Sequence, residues 1–246
     1  MTDDIGYSVV LMITPSVHLY SFTLDVSASR LDAHWGLLNR GEQARASRFR
    51  FPQLKNRWVA ARANLKHILS QYCLSPPEQL RFDYEKNGKP VLAEQSAPPD
   101  LYFNLSHSHN HALLGVTRLA PIGVDLEYQQ AIPDWQDLAR HFFSRCEYRQ
   151  LMTLPEAQRQ KAFYCCWTRK EAVVKATGEG LSAALSSFDV SVAPHEPAEV
   201  IADTHPNPRA DRWQLKHLEV GDDFVGAVAL RSSQDFVIEE FGARHD

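Results

Sequence analysis

The chain has 246 residues, of which 44% are hydrophobic and 23% charged, so it can build a packed core and is not expected to be intrinsically disordered. At about 150 residues per domain, this length fits one large domain or two small ones in close contact and excludes a long multidomain array. The net charge of −4 argues against a general nucleic-acid binder.

The sequence contains neither a membrane-span pattern nor a secretory-signal pattern. No run approaches the roughly 18 uncharged apolar residues of a transmembrane helix, and the N-terminus lacks a basic region followed by an apolar one. We therefore expect a soluble, cytoplasmic protein that binds neither nucleic acid nor a membrane.

The first half of the chain is predicted to combine strands with one long helix. Rough alternation of apolar residues indicates strand within 7–24, and apolar residues spaced three and four apart predict a helix at 54–72, which Pro76 and Pro77 end. Segment 92–100 is predicted to be a loop. Four further strands are predicted, at 80–84, 101–105, 112–117 and 122–127.

The second half repeats the order of a long helix followed by strands. A helical region starts at Trp135, Ser144 is a candidate cap, and a long helix is predicted at 156–177, ended by Gly178. Segment 194–208 is predicted to be a loop. Strands are predicted at 188–192, 213–218, 224–230 and 236–241. The pattern indicates an α+β fold of two similar halves, residues 1–119 and 120–246.

Basic residues are concentrated between Arg40 and Lys66. This segment holds eight basic residues and one acid, Glu42, so it carries +7 and the rest of the chain carries −11. A local basic cluster in an acidic protein favours a discrete anion such as a phosphate. A solvated helix face is the alternative.

Two carboxylates are predicted on one face of the strand at 122–127. Ile122, Val124 and Leu126 alternate with Asp125 and Glu127, and positions on the same face lie about 7 Å apart. A divalent cation would turn their repulsion into attraction, because Mg²⁺ prefers one or two carboxylates together with phosphates and waters. The alternative is that the pair only marks where a strand emerges into solvent.

The long helix at 156–177 offers a third carboxylate. Trp167, Glu171 and Lys175 recur every four residues and share one face of the helix. Glu171 could join the metal site while Lys175 reaches a phosphate oxygen. An exposed Glu–Lys pair worth a few tenths of a kcal/mol is the alternative.

These motifs together resemble the Sfp-type 4′-phosphopantetheinyl transferase family. The resemblance is carried by four segments in fixed order, from Gly88 to Leu181: Asn87-Gly88-Lys89-Pro90, Phe103-Asn104-Leu105-Ser106-His107-Ser108, Gly123-Val124-Asp125-Leu126-Glu127, and Trp167-x-x-Lys170-Glu171-Ala172-x-x-Lys175 with Gly178-x-Gly180-Leu181. The resemblance implies a pseudo-dimeric fold with a coenzyme A site between the halves. The N-terminal half would contact the 3′-phosphate and adenine, and the C-terminal half would hold the metal and the catalytic helix.

The resemblance also implies roles for individual residues. Asp125, Glu127 and Glu171 would hold Mg²⁺, or Mn²⁺, against the diphosphate, and Lys175 would stabilise charge at the scissile bond. The other implied contacts with coenzyme A are His107 with Ser106 at a phosphate, Lys89 and Pro90 near the adenine, Lys170, and, for the 3′-phosphate, Arg45, Arg48 and Arg57.

The reaction implied is attack by a serine hydroxyl of an apo acyl or peptidyl carrier protein on coenzyme A, with release of 3′,5′-ADP. Glu171 is the first candidate for the base, and a metal-bound hydroxide is its rival. The length favours a monomer over a trimer by analogy. Two other functions stay open, a non-catalytic coenzyme A or carrier-protein binding module of this fold and another Mg²⁺-dependent phosphate enzyme.

Overall fold

The computed structural model describes residue 12 and residues 14–96, 98–180, 185–203 and 212–242. Its helices are α1 (Ala28–Leu37), α2 (Arg40–Ala46), α3 (Pro52–Cys73), α4 (Trp135–Phe142), α5 (Arg145–Thr153) and α6 (Glu156–Thr177). Its strands are β1 (Ser16–Thr23), β2 (Phe82–Tyr84), β3 (Pro90–Leu92), β4 (Tyr102–Ser108), β5 (His111–Thr117), β6 (Ile122–Tyr128), β7 (Phe188–Val190), β8 (Val200–Asp203), β9 (Arg212–Val220), β10 (Phe224–Ser232) and β11 (Val237–Gly242).

The fold is α+β and has two halves of similar construction, which confirms the predicted class. In the first half α3 packs on a four-stranded sheet of order β11-β1-β5-β4. In the second half α6 packs on a three-stranded antiparallel sheet of order β6-β10-β9. Each half therefore places one 22-residue helix against a sheet.

The two sheets pack against each other between the two long helices. Their shared apolar core contains Leu19 and Leu113 from the first sheet and Val124 and Val228 from the second. The alternation along β6 decides which side chains reach this core, because Ile122, Val124 and Leu126 point into it. Gly123, Asp125 and Glu127 thus belong to the opposite face, on which α6 lies.

The C-terminal strand returns to the first half of the fold. β11 pairs with β1 in parallel, with Ser16 opposite Val237 and Ser21 opposite Gly242. The predicted boundary between residues 119 and 120 falls in the connection between β5 and β6, so β11 lies after that boundary in sequence but in the first sheet in space.

The long helices match their prediction closely, and the shorter elements do not all do so. α6 has the predicted bounds and ends at Gly178, whose φ of 73° is the left-handed conformation that glycine tolerates. Ser144 caps α5 as predicted, by accepting a hydrogen bond from the Glu147 backbone amide. β1 lies within the predicted segment 7–24, and the other eight predicted strands are present with ends shifted by at most three residues.

Two helices and two strands, β3 and β8, differ from the sequence predictions, and Leu92 of β3 falls in the predicted loop at 92–100. The patterns predict neither α1 nor α2, although Ser27 and Asn39 cap them and Asn39 forms a capping box with Glu42. The prediction of a loop at 194–208 is wrong at β8, because Val200, Ala202 and Asp203 pair with β7 across an irregularity at Ile201. Parts of the predicted segments, residues 7–11, 13 and 204–208, and Leu181 of the last motif lie outside the described residues.

None of the helices in the described part of the chain has the length and apolarity that a transmembrane segment requires.

Candidate active site

Helix α6 approaches β6 at Gly123, and this contact builds the site. A Cβ atom at Gly123 would lie 1.9 Å from the backbone oxygen of Ala172 and 2.5 Å from the backbone nitrogen of Ala176. Only glycine therefore fits at this position. Because Glu171 and Lys175 neighbour the two alanines on α6, the close approach brings both of them to Asp125 on β6.

Asp125 is the centre of the polar cluster. It is 3% exposed, and its Oδ1 atom accepts hydrogen bonds from Lys175 Nζ at 2.6 Å and from Ser106 Oγ at 3.0 Å. Lys175 Nζ also donates to Ser106 Oγ at 3.0 Å, so the three side chains form a closed triangle. The triangle contains residues of both halves, since β4 supplies Ser106 and β6 and α6 supply the others.

Two buried carboxylate oxygens in this cluster have no hydrogen-bond partner within the described residues. They are Asp125 Oδ2 and Glu171 Oε1. A buried acceptor without a partner is costly, so such atoms suggest a place for a cation or a donor that the protein itself does not supply.

The electrostatics of the two glutamates follow from burial among like charges. Burial and the nearby Asp125 carboxylate raise the pKa of Glu171, although Lys175 opposes the shift. Burial and Asp125 also raise the pKa of Glu127, while a hydrogen bond of 2.8 Å from Ser108 Oγ lowers it. Both carboxylates therefore hold a proton more readily than free glutamate and gain from a cation placed beside them.

Strand β4 joins the two halves through alternate polar side chains. Asn104 Oδ1 accepts a hydrogen bond from the Val124 amide, and Ser108 Oγ accepts one from the Tyr128 amide. Ser106, between them, orients Asp125. The sequence analysis did not single out Asn104 and Ser108 as site residues. The alternation of Asn104, Ser106 and Ser108 could have indicated them, because residues two apart on a strand lie on the same face.

The turn that contains Lys89 supports the C-terminal end of α6. Lys89 Nζ donates to the backbone oxygens of Lys175 at 2.7 Å and Ile122 at 3.1 Å. Asn87 Nδ2 donates to the oxygens of Gly178 and Glu179 just beyond the helix. Burial and the nearby Lys175 lower the pKa of Lys89, opposed by Glu85. These bonds satisfy carbonyls that the helix end would leave unpaired and hold Lys175 in position.

An open cleft of about 320 Å³ adjoins Glu127. Its walls include Ser108 at the end of β4, His109 in the β4–β5 turn, Tyr128 at the end of β6, and Trp167 and Phe163 from α6. The walls are mainly apolar and aromatic, with Glu127 the acidic group. The cleft therefore gives a substrate group a route to the carboxylates.

His107 points away from the triangle on β4, since it alternates with Ser106 and Ser108. Its side chain is exposed, while the surrounding protein atoms and the Lys175 ammonium lower the pKa of the imidazole. Pro90 pairs with Tyr84 across the β2–β3 hairpin. His107 is thus accessible to a ligand, and Pro90 lies one residue from the Lys89 ammonium.

The three arginines predicted for the 3′-phosphate have different surroundings. Arg57 binds both oxygens of Asp25 at 2.7 Å and donates to the backbone oxygen of His109, so it fastens the β4–β5 turn. Arg45 and Arg48 are exposed. The structure therefore leaves Arg45 and Arg48 more accessible to an anion than Arg57.

Lys170 lies on another face of α6 and is fully buried. Its Nζ atom contacts Glu147 Oε1 at 2.5 Å and the backbone oxygen of Phe188 at 2.6 Å. Because neighbouring helix positions point about 100° apart, Lys170 faces α5 and β7 while Glu171 faces β6. The structure therefore does not bring Lys170 to the carboxylate cluster and places it in the core that joins α5 to α6.

The carboxylates fit a divalent cation whose remaining ligands would be phosphate oxygens and waters. Among the described residues, no three histidine, cysteine, aspartate or glutamate side chains form a complete metal-binding group. Mg²⁺ does not need one, because it is usually held by one or two carboxylates with phosphates and waters. The unpartnered oxygens of Asp125 and Glu171 match that donor set.

Comparison with known proteins identifies the family. A model of the 4′-phosphopantetheinyl transferase superfamily matches residues 121–229, and a model of a 4′-phosphopantetheinyl transferase N-terminal region matches residues 25–118. A solved structure, the holo-[acyl-carrier-protein] synthase of Thermotoga maritima, aligns with 47% of this chain and 65% of that one, at 17% identity and a TM-score of 0.36, which is too weak to bear on function.

Curated relatives agree with the family models. The chain is 41% identical over 219 residues to the 4′-phosphopantetheinyl transferase HetI of Nostoc sp., with 89% of each chain covered. It is 26% identical over 192 residues to the 4′-phosphopantetheinyl transferase Sfp of Bacillus subtilis, with 76% of this chain and 82% of Sfp covered. Both halves match, and the chain therefore belongs to the 4′-phosphopantetheinyl transferase superfamily, a family of enzymes.

Proposed function

We propose that this protein transfers the 4′-phosphopantetheine group of coenzyme A to a serine of an apo acyl or peptidyl carrier protein and releases 3′,5′-ADP. Family membership supports both coenzyme A and a carrier protein as substrates. The observation that carries the proposal is the triangle of Asp125, Lys175 and Ser106 next to the unpartnered oxygens of Asp125 and Glu171.

The acidic cluster is proposed to hold Mg²⁺ or Mn²⁺ through Asp125 and Glu171, with Glu127 beside them. The cation would supply positive charge at the diphosphate of coenzyme A, where charge grows as the bond to 3′,5′-ADP breaks. Among the described residues, Lys175 is the positively charged residue that donates a hydrogen bond to Asp125.

Lys175 is proposed to stabilise the reacting phosphate group. Its ammonium is held at 2.6 Å from Asp125 and its side chain is 29% exposed, so Lys175 is both oriented and accessible. The Lys89 bond to the Lys175 backbone fixes the helix below it. A pre-positioned cation of this kind contributes because it needs no reorganisation as the charge develops.

Glu171 is proposed as the base that removes the proton of the serine hydroxyl. A serine hydroxyl is a weak nucleophile at neutral pH and needs a proton acceptor while the new P–O bond forms. The raised pKa of Glu171 favours proton uptake. The proton moves to Glu171 and the electron pair of the broken P–O bond leaves with 3′,5′-ADP.

The N-terminal half is proposed to bind the nucleotide end of coenzyme A. Arg45 and Arg48 are the proposed contacts for the 3′-phosphate, His107 for a phosphate near Lys175, and the Lys89–Pro90 turn for the adenine. Ser106 acts on coenzyme A through Asp125 and Lys175, which it orients.

The complete site is proposed to function in a monomer in the cytoplasm. Ser106 of the first half and Asp125 and Lys175 of the second half meet within one chain, so the triangle needs no second copy. This arrangement supports the monomer over an assembly in which two chains share each site.

The test is to incubate the protein with coenzyme A, Mg²⁺ and apo carrier proteins of fatty-acid, polyketide and nonribosomal-peptide synthesis, and to weigh each carrier by mass spectrometry. We expect at least one carrier to gain a phosphopantetheine group. Glu171→Gln should lower the rate at least about 100-fold. Glu156→Gln, an exposed substitution on the same helix, serves as the matched control.

The outcomes separate the alternatives. Carriers that all stay unmodified, while the protein still binds coenzyme A, would favour a non-catalytic binding module. Hydrolysis of coenzyme A without carrier modification would favour another Mg²⁺-dependent phosphate enzyme. Near-normal transfer by Glu171→Gln would remove Glu171 from the role of base.

A further inference from the structure

Two arginines converge on the hydroxyl group of Tyr84, outside the acidic cluster. Arg62 Nη2 donates to Tyr84 Oη at 2.6 Å, and Arg45 Nη1 donates to the same atom at 3.1 Å. The guanidinium groups also lie 5.9 and 5.4 Å from the centre of the Tyr84 ring, within the range of cation–π attraction. One phenol therefore gathers two positive charges that come from different helices, α2 and α3.

The charges of this cluster are not balanced by its own acid. Glu42 accepts a hydrogen bond from Lys66 Nζ at 2.9 Å and lies 3.7 Å from Arg62 Nε. Glu42 thus pairs with two cations, and the nearby Arg45 is a third cation that it does not contact. Arg62 is 7% exposed, and its Nη1 atom has no hydrogen-bond partner in the described part of the chain. A buried guanidinium with an unused donor indicates a missing acceptor.

The Tyr84 hydroxyl can donate a hydrogen bond to a ligand beside the two arginines. A tyrosine hydroxyl has two acceptor sites and one proton, and the two arginines use both acceptor sites. The proton is left to donate to an incoming oxygen. Tyr84 is 45% exposed, so that oxygen can arrive from solvent. Arg45 is exposed as well, whereas Arg62 is held in place by its ring contacts with Phe82 and Trp58.

The β2–β3 hairpin links this cluster to the catalytic helix. Tyr84 pairs with Pro90 across the hairpin, and the adjacent Lys89 donates to the Lys175 backbone oxygen. The hairpin therefore connects the strand that carries Tyr84 to the helix that carries Lys175.

We propose that Tyr84 and Arg62, together with Arg45, form the subsite for a phosphate monoester, in which the Tyr84 hydroxyl donates a hydrogen bond to a phosphate oxygen. This inference rests on the proposed function, which supplies coenzyme A as the ligand and its 3′-phosphate as the monoester. It adds Tyr84 and the buried Arg62 to the exposed arginines and makes Tyr84 a determinant of the choice between coenzyme A and 3′-dephospho-coenzyme A.

The test is Tyr84→Phe, which removes the hydroxyl and keeps the ring. Steady-state transfer should show KM for coenzyme A raised about 10-fold with kcat little changed, because a hydrogen bond to a charged phosphate is lost. KM for 3′-dephospho-coenzyme A should not change. Calorimetric titration should show the same pattern without turnover: weaker binding of 3′,5′-ADP and unchanged binding of 5′-AMP.

Tyr148→Phe is the matched control. Tyr148 also accepts a hydrogen bond from an arginine, Arg140, at 3.1 Å, with the guanidinium 5.4 Å from the ring, but it lies on α5. The control should leave both KM values and both nucleotide affinities unchanged. Thermal unfolding of each variant checks that the fold is intact.

A double variant tests whether Arg45 and Tyr84 contribute to the same binding site. If Arg45 and Tyr84 bind the same phosphate, their substitutions should not act independently. The double variant Arg45→Gln with Tyr84→Phe should then show a smaller fold-increase in Kd for 3′,5′-ADP than the product of the fold-increases of the two single variants. Equal weakening of 3′,5′-ADP and 5′-AMP by Tyr84→Phe, or no weakening of either, would overturn the subsite. Failure of the wild-type protein to modify any carrier would overturn the proposed function, while the nucleotide titrations still decide the subsite.

Discussion

Replacing Gly123 with alanine should separate β6 from α6 and disrupt the active site. The added methyl group would meet the Ala172 backbone oxygen at 1.9 Å, whereas ordinary contacts begin at 3.4 Å, so the helix must recede by about 1.5 Å. Such a shift takes Lys175 Nζ, now 2.6 Å from Asp125, beyond hydrogen-bonding distance. Displacements of about 1 Å in a catalytic site can cost about 100-fold in rate, and we expect a loss of that size.

Transfer to an apo carrier, followed by mass spectrometry, measures this loss, and denaturant unfolding measures the accompanying strain. Overpacking of this kind typically destabilises a protein by about 1–3 kcal/mol. The clash involves backbone atoms of α6, so adding Ala172→Gly to Gly123→Ala should not restore the rate. That result separates a backbone contact from ordinary side-chain packing.

Gly36→Ala is the control for the glycine substitution. Gly36 lies in α1 and has no atom within 4 Å of an added Cβ, so alanine there should leave transfer unchanged and should raise stability by up to about 1 kcal/mol. If Gly123→Ala transfers at the wild-type rate with unchanged stability, the close contact between β6 and α6 does not position Lys175, and the reasoning fails.

Further predictions concern residues away from the reacting groups. Lys170→Met should destabilise the protein by about 3–5 kcal/mol, since it leaves the buried Glu147 without its cation, yet KM for coenzyme A should not change; a raised KM in folded protein would restore Lys170 to the ligand site. Burial, and then Arg169, lower the pKa of His217 in the folded protein. Below about pH 6.5 this histidine is therefore protonated in the unfolded chain before it is protonated in the folded one, and the free energy of unfolding should fall as the pH drops. His217→Leu should reduce that fall, by up to about 1.4 kcal/mol per pH unit, when unfolding is measured at about pH 7.5 and 5.5; identical pH dependence of variant and wild type would contradict the assignment.

Local patterns in the sequence were sufficient for the long helices and for the acidic face of β6. The periodicity that defines α6 and the glycine that ends it are properties of neighbouring residues, as is the alternation that puts Asp125 and Glu127 on one face. The capping box at Asn39 and Glu42 is local too, and it could have revealed α2.

Contacts between distant residues could not be inferred in this way. The partners of Arg57 are Asp25 and the backbone of His109, 32 and 52 positions away, so its charge alone predicted a free anion site. Lys170 and Lys175 are both lysines on α6, and the sequence around them does not show which one faces β6. Helix α6 is buried on more than one face, and only the packing of α5 and β7 places Lys170 in the core. The parallel pairing of β11 with β1 is equally non-local.

The central claim is that Asp125 and Glu171 together hold a divalent cation against coenzyme A. Its most direct test is calorimetric titration of coenzyme A into the protein, with Mg²⁺ and with a chelator, for the wild type and for Asp125→Asn. We expect Mg²⁺ to tighten coenzyme A binding to the wild type at least about 10-fold and to leave the affinity of Asp125→Asn unchanged. Wild-type binding that is indifferent to Mg²⁺, or full tightening in Asp125→Asn, would contradict the claim.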